Sequence, residues 1–356
     1  MKKIKFSLLA LALTAFVISC KKNDAPTPEV PEVTTGAYVL NEGLFNSNNT
    51  TLTYYNFSNS TPTTDFYQNV NGSGLGDTGS DMIIYGGKLY IVMNVSSYLE
   101  VDDASTAKSI KKIDLKNASS QPLTPRYVVG YKNNVFVSCW DGTVAVIDTA
   151  ALTISKFITV GANPEQMAVV GSNLYVANSG GITPGYDSTV SVIDLNSLTE
   201  TGKITVGTNP GPMVADDAGN IYVGCNGDYA SIVPKLVKVN TATNMIMKSA
   251  DTAVVKIRFY KGLLYAIVGS YPTYNVRTLS TTDFSATSPN FVTDGTIIAT
   301  PYALNIDETT GDVYVGDAKD YTSPGEVFCF NTKGEKLFSF SVSPGLNPNT
   351  VVFIRN

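Results

Sequence analysis

The chain has 356 residues, with 25 Lys and Arg against 30 Asp and Glu and a formal net charge of −5. It contains no histidine, which removes Ser-His-Asp and Cys-His hydrolysis, His-ligated zinc and proximal-His haem. The acidic balance argues against nucleic acid as a partner.

In chain order, residues 1–19 read as a secretion signal. Lys2, Lys3 and Lys5 open it, and Phe6 to Ile18 form an apolar run of 13 residues, too short to span a bilayer comfortably. The run ends in Val17-Ile18-Ser19-Cys20, which resembles the lipobox of bacterial lipoproteins. That resemblance implies lipidation of Cys20 and anchoring by acyl chains, each buried methylene contributing about 0.8 kcal/mol. Residues 20–35 then read as a Pro-rich tether, with Pro26, Pro28 and Pro31, extended at about 3.1 Å per residue. Lys21 follows the cysteine where the inner-membrane retention rule wants Asp, so outer-membrane sorting, on the cell surface, is the expectation. Without the three signal lysines the rest carries 22 basic residues (25 − 3) against 30 acidic ones, a balance of −8. Cys139, Cys225 and Cys329 make no disulfide framework and read as small buried hydrophobes.

From residue 36 one strand pattern recurs seven times, centred on Tyr38, Tyr90, Phe136, Tyr175, Tyr222, Tyr265 and Tyr314. The spacings of 39 to 52 residues, with alternating apolar and polar neighbours, point to propeller blades. A second strand follows each copy and mostly ends in Asp or Asn, as in "TVSVIDL" from Thr189. A third, opening on Pro, precedes most copies, as in "NPEQMAVV" from Asn163. The final Pro motif at Asn347 has no partner after it, and the first strand at Gly36 has none before it. The expected fold is therefore all-β. It is a seven-bladed β-propeller over 36–356 with four-stranded antiparallel blades, the C-terminal strand completing the first blade. No helix of period 3.6 is expected after residue 20.

Antiparallel alternation puts the loops after the Tyr strands on the same face as the starts of the Pro strands. Those loops carry Phe45, Tyr98, Trp140, Tyr186, Tyr229, Tyr271 with Tyr274, and Tyr321, among polar groups such as Asn41, Glu42 and Asp320. The Pro strands add Asp81, Arg126, Glu165, Gln166, Tyr302 and Asn349. A rim of rings around a polar funnel is the chemistry of a binding surface. No catalytic residue or metal centre stands out, and no cofactor is expected. "EVDDAS" at Glu100 and "DAKD" at Asp317 are weak calcium candidates.

The pattern "LYVAN…TVSVIDL…KITVGTNP" resembles the YVTN-repeat (YncE-like) β-propellers. The stretches from Val39, Thr124, Pro164 and Asn305 are further similar to the BtuG-like surface lipoproteins, which bind cobalamin and hand it to an outer-membrane transporter. The resemblance implies a corrinoid held on the rim face without catalysis, and delivery to a TonB-dependent transporter. The resemblance assigns ligand-binding roles to Asn41, Glu42, Phe45, Arg126, Gln166, Asp320 and Tyr321, and the loop aromatics Tyr98, Trp140, Tyr186, Tyr229 and Tyr274 complete the expected ligand-binding set. Two other functions fit the same frame: a protein-interaction or adhesion propeller, and a metal-dependent lactonase-like hydrolase.

Overall fold

A computed structural model describes residues 32–182 and 185–355. The signal segment, Cys20 and the tether as far as residue 31 lie outside the described residues. The described chain forms seven antiparallel sheets. In six of them four strands follow one another from the axis outward. Blade one takes its innermost strand from the C-terminal segment: Pro348–Arg355 pairs with Thr34–Asn41, which pairs in turn with Thr51–Asn56. The seven innermost strands touch one another in a closed ring.

The pleat accounts for the packing. Side chains alternate across each blade, and the buried apolar residues fall into seven clusters, one for each junction between neighbouring blades. In the second strand of blade two, Tyr90 and Val92 pack toward blade three, whereas Leu89, Ile91 and Met93 pack toward blade one. The repeated aromatic residue, from Tyr38 to Tyr314, is at most 3% exposed in every blade, so it glues blades and does not reach the mouth.

The polar repeats are equally mechanical. The Asp or Asn that ends the third strand accepts N–H groups from its own turn. Asp148 Oδ1 takes those of Ala150 and Ala151 at 2.9 and 2.7 Å, and Asp194 Oδ1 those of Asn196 and Ser197 at 3.0 and 2.7 Å. Pro125, Pro164, Pro210, Pro301 and Pro348 each open an innermost strand, where no ladder donor is required.

Two elements depart from the expected pattern. A six-residue helix, Phe66–Asn71, lies between blades one and two, below the length at which a 3.6 period shows in sequence. Blade six has three strands. Its outer edge is closed by irregular chain: Ala286 bridges Leu279, and the N–H groups of Thr287 and Phe291 donate to Thr278 and Val276. Cys139, Cys225 and Cys329 are free and buried, and burial pushes the Cys225 thiol up to about 12.

Candidate functional site: the mouth of the propeller

One hydrogen bond recurs in every blade and fixes which loops share a face. The residue before the innermost strand accepts the N–H of a residue at the end of the second strand. The seven pairs, from Asn347 with Glu42 to Thr300 with Ala318, span 2.8–3.1 Å. In five blades the acceptor (Thr78, Thr124, Asn163, Asn209, Asn347) has a φ of 47–59°, the left-handed region that Asn tolerates best.

Just beyond that bond, every innermost strand slips register against its neighbour. A bulge re-aims the side chain it displaces. Here the residues at the slips, Ser80, Arg126, Glu165, Gly211, Val255, Tyr302 and Asn349, all line one of two adjoining cavities at the mouth. These cavities measure about 270 and 290 Å³ and share Arg126, Tyr127 and Val255. A third, of about 530 Å³, joins them through Val255 and is walled by Tyr229, Ile232, Val233, Tyr271 and Tyr274. Together they form one depression, polar at its floor and apolar along the rim over blades five and six.

The floor is a web of paired groups. Arg126 Nε lies 3.1 Å from Glu165 Oε2, its guanidinium sits 4.9 Å over the Trp140 ring, and Trp140 Nε1 donates to Glu165 Oε1 at 2.9 Å. Across the axis, Glu42 Oε2 accepts from Tyr302 Oη at 2.7 Å and from Asn349 Nδ2 at 3.1 Å. Lys256 Nζ donates to Asn349 Oδ1 at 2.7 Å. Burial raises the Glu42 carboxyl, and the Tyr302 hydroxyl and the charge of Lys256 restrain the rise. Burial also raises Asp81, whose Oδ2 accepts the Val128 N–H at 3.1 Å. Lys256 is lowered to about 8, by burial first and by neighbouring Arg258 second.

Of the residues expected from sequence, Glu42, Arg126, Trp140, Tyr229, Tyr274 and Tyr321 line the depression. Tyr186 packs its ring edge-on against Tyr229, with centroids 6.0 Å apart, and supports the rim. Phe45 is 71% exposed on the same face but lines none of the three cavities. The other four are engaged elsewhere. Asn41 is fully buried and donates to Thr51 and Thr53, each at 3.1 Å. Tyr98 lies between blades one and two, its hydroxyl donating to the Leu75 carbonyl. Only residues 94–97 separate its strand from the preceding one, so Tyr98 begins the third strand and the pleat turns it inward. Gln166 Oε1 accepts the Met213 N–H at 3.2 Å and staples blade four to blade five. Asp320 caps its own turn through Thr322 and Ser323, and those N–H groups hold its carboxyl well below the usual range.

The loops are also less uniform than expected. They run 42–50, 179–188, 226–234 and 318–325 in blades one, four, five and seven, but only 94–97, 140–142 and 271–272 in blades two, three and six. Sequence reasoning passed over Tyr127, Val255 and Lys256. The innermost strand of blade six, Val254–Tyr260, like that of blade two, lacks the Pro that opens the other five. Aligning "AVVKIRF" from Ala253 with "TPRYVV" from Thr124 would have placed Lys256 in the channel. The calcium candidates are otherwise employed. Asp317 Oδ1 accepts the N–H groups of Thr300 and Lys319, both at 2.8 Å. Glu100 and Asp102 are wholly buried within blade two. Among the described residues no three Cys, Asp or Glu side chains gather as a metal site.

A family model described as "Domain of unknown function (DUF5074)" matches residues 35–289. No curated relative matches the chain. Among solved structures, a quinonprotein alcohol dehydrogenase-like protein from Bacteroides thetaiotaomicron is similar at a TM-score of 0.66 and 14% identity, over 90% of this chain and 79% of that one. A protein from Lactobacillus plantarum aligns at 0.65 and 13%, over 90% of this chain and all of that one. Hydrazine synthase of Kuenenia stuttgartiensis aligns at 0.52 and 15%, over 71% and 76%. At such identities these likenesses establish the fold alone.

Proposed function

Because the chain belongs to the DUF5074 family, whose description assigns no activity, its function rests on the mouth, and we propose that this depression binds a bulky small molecule without turning it over. The observation that carries the reading is the sevenfold bulge, which brings one residue per blade to the lining of a single depression. Its polar floor and aromatic flank suit a broad ligand fringed with hydrogen-bonding groups. A corrinoid is such a ligand, and is the one we name. In this reading Cys20 carries the lipid, the outer membrane holds the protein, and a TonB-dependent transporter receives the cargo. Titration calorimetry with cyanocobalamin at micromolar concentration tests the ligand; no heat above dilution would remove it. Fatty-acid labelling that persists in Cys20→Ala would remove the anchor.

A second reading draws on one feature of the rim. Ile182, Tyr229, Ile232, Val233 and Tyr271 are each 46–74% exposed on neighbouring loops, an apolar crescent that also suits a protein partner. Pull-down from outer-membrane extracts of one stoichiometric partner, with no small-molecule binding, would favour that reading.

A further inference from the structure

Among the described residues, two cations in the central channel make no ion pair with a carboxylate. Lys256 and Arg258 lie two residues apart on the innermost strand of blade six, so both leave the same face of that strand. That face is the channel. Lys256 lines the first cavity, and Arg258 lies within the electrostatic reach of Lys256, Asp81 and Tyr127. The groups facing the pair from other blades are Glu42, Asp81, Arg126, Tyr127, Tyr302 and Asn349.

The acids among them are already engaged. Glu42 is held by Tyr302 and Asn349, and Asp81 by the Val128 N–H. Arg126 is neutralised by Glu165. Among the described residues the ion pairs join Lys112 to Glu100, Arg126 to Glu165, Lys203 to Glu200 and Arg355 to Asp307. Neither Lys256 nor Arg258 belongs to one. Lys256 directs one of its three donors to Asn349, and Arg258 directs one of its five to the Ile257 carbonyl at 2.9 Å. These two adjacent, partly buried cations keep donors open to an incoming oxyanion, with the charges of Glu42 and Asp81 nearby but not in ion-pair contact. Both are held below their ordinary values, by burial first.

We propose that the channel floor at Lys256 and Arg258 is an oxyanion site, which takes a phosphate group either as the free anion or as the anionic substituent of a larger ligand seated in the mouth. An ammonium beside a planar guanidinium matches a tetrahedral oxyanion by charge and by the number of donors.

The test uses the folded domain at fixed ionic strength, with inorganic phosphate and dimethyl phosphate as probes. Titration calorimetry and thermal unfolding are run on the wild type, Lys256→Met, Arg258→Met, Lys256→Arg and, as control, Lys248→Met on the exposed outer strand of blade five. Saturable phosphate binding is expected in the wild type, Lys248→Met and Lys256→Arg. It should weaken at least tenfold in Lys256→Met and Arg258→Met, with loss of the phosphate-dependent rise in Tm. Binding of dimethyl phosphate as tight as that of phosphate assigns the site to an ester-bearing ligand; preference for phosphate assigns it to the free anion. No saturable binding of either probe to the wild type, or one affinity across all five proteins, overturns the proposal. These outcomes stay readable whether or not cyanocobalamin binds, because the probes differ.

Discussion

Replacing Asp102 by Asn should change how stability depends on pH. Asp102 and Glu100 stand two residues apart on the third strand of blade two, both wholly buried. Glu100 accepts from Tyr67 and Ser109, whereas neither Asp102 oxygen has a hydrogen-bond partner apart from this acidic neighbour. Burial first, and the negative charge of Glu100 second, push Asp102 from 3.8 up to about 9. An acid raised in this way keeps its proton when folded and loses it when unfolded. Stability is therefore greatest below pH ~4, falls as pH rises, and levels off above pH ~9. The slope in that window is about 1.4 kcal/mol per pH unit, so holding the proton at pH 7 costs roughly 4 kcal/mol, from 1.36 × (7 − 3.8). Asn cannot ionise, and its amide can donate to Glu100. Urea unfolding of both proteins at pH 5, 7 and 8.5 cancels the titrations they share. The advantage of Asp102→Asn should grow by about 2–4 kcal/mol between pH 5 and 8.5. Parallel curves would refute the argument, since they would mean that folding does not hold a proton on this pair.

Further outcomes follow from the same geometry. Trp140→Ala should leave the ring folded, because Trp140 lies outside the inter-blade clusters; calorimetry should show cyanocobalamin binding at least tenfold weaker, and an unchanged Kd would count against the mouth as the site. Thr124 holds a φ of 54° where blades four, five and one use Asn. Thr124→Asn should therefore gain about 0.5–1 kcal/mol in urea unfolding by relieving a β-branched residue in the left-handed region. Deleting residues 348–356 removes the innermost strand of blade one, and the cooperative thermal transition should disappear from circular dichroism.

The blade count was legible because every unit repeats an aromatic strand, and most add an Asp- or Asn-ended strand and a Pro-opened strand. Repetition also gave the face assignment, since antiparallel order leaves no choice once the strands are named. The site was legible only in part. Arg126 and Trp140 sit next to recognisable motifs, whereas Lys256 and Arg258 lie on a strand whose opening residues, Ala253-Val254, carry no turn signal. Asn41 and Tyr98 failed for another reason. At a strand end one residue decides whether a side chain faces the mouth or the neighbouring blade, and that parity depends on loop lengths no motif states. The bulges themselves leave no sequence mark, because the displaced residues range from Gly211 to Arg126.

The pairing of Thr34–Asn41 with Pro348–Arg355 sets an order of events in the cell. The first strand to be synthesised is sealed by the last, more than three hundred residues later. Until that tail arrives, an apolar edge waits open to any passing β-segment. A nascent chain would have to be shielded throughout translation, so its biogenesis should depend on chaperones more than the finished wheel's rigidity would suggest.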